Sequence, residues 1–70
     1  MERGQVLFFD TDGRGWGFIT PEFGGKDVFL HRHGLAAGEG APMSGDTVEF
    51  EVEKDGNRGL RARNVRKVHT

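Results

Sequence analysis

The sequence predicts an all-β domain, a five-stranded antiparallel barrel, and three observations carry the prediction. The 70 residues include 12 glycines, spread along the chain rather than gathered in one tract. No stretch of helix length shows a 3.6-residue apolar period, whereas several short stretches alternate or run apolar between turn residues. A chain this short buries only about 60% of its unfolded surface. That is too little core for a two-sheet sandwich, and closing the strands on themselves removes exposed edges and leaves one shared interior. Residues 1–70 therefore read as one domain.

The first strand is expected over Gln5–Asp10. Thr11-Asp12-Gly13-Arg14-Gly15 supplies the residues a reversal needs. The second strand runs Trp16–Thr20 and ends at Pro21, which has no N–H to give a ladder. Phe23-Gly24-Gly25 turns the chain into a third strand, Asp27–His31. Residues 32–45 hold four glycines, three alanines and a proline, which predicts a long loop with a short 3₁₀ turn. The fourth strand, Thr47–Glu53, alternates most cleanly: Val48, Phe50 and Val52 against Thr47, Glu49, Glu51 and Glu53. Asp55-Gly56-Asn57 reverses into a fifth strand, about Leu60–Val68.

Composition narrows the function. There is no cysteine, so no disulfide and no cysteine zinc site. No apolar run approaches the ~18 residues that span a bilayer, and Met1-Glu2-Arg3 leads into no signal-peptide core. A cytoplasmic protein without a membrane partner is expected. Ser44 is the single serine and no nucleophile–base pair stands out. Neither catalysis, nor a cofactor, nor a small-molecule substrate is predicted. His31 and His33 sit two apart, but no third ligand is in view and a metal is not expected. Asp10-Thr11-Asp12-Gly13 lacks the later acidic positions of a calcium loop and reads as a turn. The net charge of −1 argues against a protein that grips duplex DNA by charge.

Strand parity then separates two faces. Trp16 and Phe18 share one face of the second strand; Gly17 and Ile19 share the other. On the third strand Asp27, Phe29 and His31 oppose Val28 and Leu30. Aromatic stripes are usually core. This one carries Asp27 and His31, with Arg14 at the same parity, and such groups are costly in so small an interior. The opposite face holds only Ile, Val, Leu and Gly. The aliphatic face belongs inside and the rings outside, and an exposed ring cluster calls for a reason. Rings flanked by Arg14, Lys26 and His31 offer stacking surfaces beside donors for phosphates and base edges, which suits single-stranded nucleic acid. A protein-docking patch is the competing explanation, since Trp, Phe and Arg also mark interface hot spots.

Gly15-Trp16-Gly17-Phe18-Ile19 resembles the first ribonucleoprotein motif of cold-shock domains, and Asp27-Val28-Phe29-Leu30-His31 resembles the second. Gly4-x-Val6-x-Phe8-Phe9-Asp10 is similar to the family's opening strand and Asn57-Arg58-Gly59…Asn64-Val65 to its closing one. The resemblance covers about residues 4–68. It implies an OB-type Greek-key barrel that binds single-stranded RNA and DNA with little sequence demand, often as an RNA chaperone. It also implies base contacts for Phe8, Trp16, Phe18, Phe29 and His31, strand contacts for Arg14, Lys26, Asp27 and Arg58, and core positions for Val6 and Phe9.

The chain departs from the pattern in places. Phe8 replaces a tryptophan, Leu7 a lysine and Asp10 an asparagine, and Gly13 is an extra residue in the first turn. Arg32 replaces a phenylalanine, and Ala41 falls where a loop phenylalanine is common. Each missing ring removes about 1–3 kcal/mol of stacking, which Arg32 can partly offset by laying its guanidinium on a base. Arg58, Arg61, Arg63, Arg66 and Lys67, with no acid between them, look like a phosphate stripe. The better reading of Arg61 and Arg63 is cross-strand ion pairing with Glu49, Glu51 and Glu53, which sets register and adds little stability. A monomer is expected, with strand exchange through the 32–45 loop as the route to a domain-swapped dimer.

Overall fold

The computed structural model describes residues 1–54, 56 and 59–68. Arg58 and most of the Asp55-Gly56-Asn57 reversal lie outside them. The strands are β1 (Glu2–Asp10), β2 (Trp16–Pro21), β3 (Val28–His31), β4 (Thr47–Lys54) and β5 (Leu60–Lys67), and a 3₁₀ turn at Arg32–Gly34 opens the long loop. Expected bounds hold to a residue or so except at β1. Its first residues carry no apolar signal of their own, but they pair with β4, from Glu2 opposite Phe50 to Gln5 opposite Thr47. Asp27 falls just short of β3.

The order around the closed barrel is β1-β2-β3-β5-β4. A ring with an odd number of strands cannot alternate direction at every seam. Here β3 and β5 are the pair that runs parallel, with Phe29 opposite Arg61; the other seams are antiparallel. The parallel seam is supplemented where Leu35 bridges Val65 and the Ala36 N–H donates to the Val65 carbonyl at 2.8 Å.

The interior is the aliphatic face of β2 and β3 meeting the apolar face of β4. Val6, Ile19, Val28, Leu30, Val48, Phe50, Ala62 and Val65 form the buried cluster, and Phe9, Leu35, Val52 and Leu60 pack against it. Each buried large side chain contributes about 1.5–3 kcal/mol. Among the described residues no polar or charged side chain is buried. This is the face assignment that parity predicts for β2 and β3.

Two bulges bend the ladders. On β1 the register slips between Val6, opposite Ile19, and Phe8, opposite Phe18, so Leu7 is the extra residue. Val6 points inward, Phe8 outward and Phe9 inward again. On β5, two residues face Phe50 between the pairs Glu49–Arg66 and Glu51–Arg63. Asn64 takes the left-handed conformation there, φ 54°, which its short polar side chain tolerates.

The long loop is stitched to the barrel. Gly45 N–H donates to the Val6 carbonyl (2.7 Å), and Val6 N–H to the Asp46 carbonyl (2.9 Å). Lys67 N–H donates to Glu39 Oε1 (2.7 Å). The Met43 N–H bond to Asp46 (2.8 Å) holds that carboxyl below its ordinary value, more than burial raises it, with Lys67 adding to the effect.

Candidate nucleic-acid interface

The outer face of β1, β2 and β3 carries rings in register. Phe8 is the partner of Phe18, and Phe18 the partner of Phe29, so three rings form a row across the strands. One step along, Trp16 sits opposite His31. Ring centroids lie 5.9 Å apart for Phe8–Phe18, 5.7 Å for Phe18–Phe29 and 5.4 Å for Phe8–Trp16. Trp16 and Phe29 hold nearly parallel planes, 22° apart at 6.5 Å. These are ordinary separations for rings that support one another. Phe8 is 37% exposed, while Trp16, Phe18, Phe29 and His31 are half-buried against their neighbours with outer surfaces in solvent.

Backbone approach makes the row possible. A β-carbon on Gly17 would collide with the Phe8 carbonyl. The glycine between Trp16 and Phe18 thus lets β2 close on the β1 bulge that turns Phe8 outward. Parity leaves the face of Phe8 open, because Leu7 and Phe9 are apolar too, and only the family resemblance puts it outside.

His31 closes one end of the platform and fixes the turn after it. Its Nδ1 accepts the His33 N–H at 3.2 Å, capping the 3₁₀ turn. That bond assigns the ring proton of neutral His31 to Nε2, leaving a donor on the outer edge. Burial, then the charges of His33, Arg32 and Arg61, pushes its pKa below the ordinary value. The His33 ring packs edge-on against His31, centroids 4.7 Å apart.

The flanking residues divide into those at the platform and those beside it. Arg14 shares a shallow groove with Trp16, Phe29 and His31. Asp27 accepts from the Thr20 hydroxyl at 3.3 Å, just before β3 and at the far end of that strand from His31. Lys26 is exposed in the turn before β3. Arg32 is exposed too; its aliphatic stem lies across Gly15, where a β-carbon would come within 3.0 Å of it, and its N–H donates to the Gly15 carbonyl at 2.7 Å. The arginine therefore stands beside Trp16 rather than in the row.

The acidic strand meets the basic one as expected: Glu49, Glu51 and Glu53 face Arg66, Arg63 and Arg61. The ion pairs follow this register only in part. Glu53 takes both Arg61 (2.7 Å) and Arg63 (3.4 Å), while Glu49 pairs with Arg3 (3.3 Å). The Arg61 hydrogen bond holds the Glu53 carboxyl below its usual range. His33, Arg61 and Arg63 line one groove with Phe29 and His31. The His31–His33 spacing, visible in the sequence, sets the two rings edge to face.

Residues 2–68 match the 'cold-shock' DNA-binding domain family. The cold shock-like protein CspA of Stigmatella aurantiaca is 44% identical over 69 residues, covering 97% of this chain and 98% of that protein. The cold shock-like protein CspC of Escherichia coli K12 is 44% identical over 64 residues, covering 90% of each. Glycine-rich protein 2 of Nicotiana sylvestris is also 44% identical over 64 residues, but the chain spans 29% of its length.

Proposed function

The chain belongs to the cold-shock DNA-binding domain family, whose members bind nucleic acids and are not enzymes, and from that membership we propose that it binds single-stranded RNA or DNA by stacking bases on Phe8, Trp16, Phe18, Phe29 and His31. The observation that carries this reading is the row of outward rings in register above an all-apolar interior. Arg14, Lys26, Arg32 and Arg58 supply phosphate or base-edge contacts, and Asp27 accepts from bases. Stacking makes little use of base identity, so sequence demand is low. By taking up the unpaired strand the protein keeps RNA or melted DNA open without ATP, as an RNA chaperone or a regulator of transcription or translation. It acts as a cytoplasmic monomer.

Titration with oligo-dT or oligo-U tests this. Trp16 fluorescence should be quenched on binding, with a salt dependence milder than that of a basic duplex binder because the chain carries a net charge of −1. Absence of quenching at tens of micromolar strand contradicts it. Self-association in light scattering without any oligonucleotide favours a protein-docking role for the same rings.

A further inference from the structure

The row of rings does not stop at β3. Phe29 faces Arg61 across the parallel seam, and Arg61 faces Glu53 on β4, so the line reads Phe8, Phe18, Phe29, Arg61, Glu53 across five strands. Beyond Phe29 the surface opens into a groove of about 550 Å³ lined by Phe29, His31, His33, Arg61, Arg63 and Glu53. Both Arg61 Nε and one terminal nitrogen donate to the same Glu53 oxygen, at 3.1 and 2.7 Å, which fixes the guanidinium plane. Arg63 does not pair with Glu51, its register partner, but reaches along the strand to Glu53 at 3.4 Å, with its side chain 61% exposed. Among the described residues that line the groove, one carboxylate meets two guanidiniums.

We propose that this groove is a further nucleotide subsite on the same bound strand: the base beyond the one on Phe29 stacks on the Arg61 guanidinium, and its phosphate engages Arg63 in place of Glu53. The proposal rests on the platform reading above and extends it by one nucleotide. A guanidinium is planar and weakly hydrated, and bases stack on it much as they do on a ring. Glu53 sets the Arg61 plane before the strand arrives, so less freedom is lost on binding. The longer, exposed Glu53–Arg63 pair is weak and readily exchanged for a phosphate. The His33 ring, packed on His31, continues the groove wall.

The test is an oligo-dT length series, about three to about nine nucleotides, reaching into the range of OB-fold site sizes. Binding is measured against wild type, Arg61→Lys, Arg63→Gln and Glu53→Gln, with Phe29→Ala as the platform control. Arg61→Lys keeps the charge and loses the plane. Its loss should grow with strand length, reaching about tenfold for strands that fill the groove. Arg63→Gln should lower the slope of log K against log salt by about 0.7, one single-strand phosphate contact. Glu53→Gln keeps an oxygen to accept from Arg61 and removes the charge that holds Arg63, so it should tighten long strands. If the Arg61 and Arg63 variants match wild type at every length while Phe29→Ala weakens binding, the groove is no subsite and the platform stands. If Glu53→Gln weakens long strands, the carboxylate is not a competitor and the exchange is wrong. If wild type binds no strand of any length, both readings fall.

Discussion

His31 combines a place in the proposed platform with a structural task, and pH should expose the combination. Its Nδ1 must be unprotonated to accept the His33 N–H that caps the 3₁₀ turn. Burial first, and then His33, Arg32 and Arg61, hold its pKa below the ordinary histidine value. The unfolded chain therefore takes up a proton at a higher pH than the folded one does. The contribution is fully present above about pH 6.5, the unfolded value, and is lost as pH falls toward the lowered folded value. Urea unfolding between about pH 7.5 and about pH 5 should show stability falling in wild type and falling less in His31→Gln. Equal slopes contradict this account of His31. At this scale much was legible: Trp16, Phe18, Phe29 and His31 declare their face by parity. The partnership of Glu53 with two arginines was not, because pairing logic gives register and not the reach of long side chains.

At the scale of the element, legibility depended on regularity. β2, β3 and β4 each have one face of apolar residues, so their inward side follows from alternation alone. β1 has apolar residues on both parities, and a bulge at Leu7 switches the face partway along. No count of spacings locates such a bulge. Its signature in the sequence is Gly17 on the neighbouring strand, where the backbones approach too closely for a β-carbon. Gly17→Ala should therefore cost about 1–3 kcal/mol, read as a lower denaturation midpoint with an unchanged slope. It should also push Phe8 from the row and weaken oligonucleotide binding. Wild-type stability and affinity in that variant contradict the close approach.

The whole molecule is a barrel whose two surfaces have separate duties. The interior holds the fold with aliphatic side chains and Phe50, and among the described residues no polar side chain is buried in it. The outer ring face is the one proposed to offer its area to a ligand at little cost to stability. The barrel was legible because so short a chain has few ways to bury five strands. The parallel seam follows from the odd strand number, but which pair carries it depends on the long loop that brings β4 back beside β1. That seam sets Arg61 next to Phe29 and gives the platform its continuation. The separation of duties is the central claim, and the double substitution Phe18→Ala with Phe29→Ala tests it most directly. The rings lean on each other, each contact giving about 0.5–1.5 kcal/mol, so a modest loss of stability is expected, below the combined cost of two core phenylalanines at about 3–5 kcal/mol each. The account predicts a folded barrel, read by circular dichroism and a cooperative melt, that no longer binds oligo-dT; an unfolded chain, or a folded one that still binds with wild-type affinity, contradicts it.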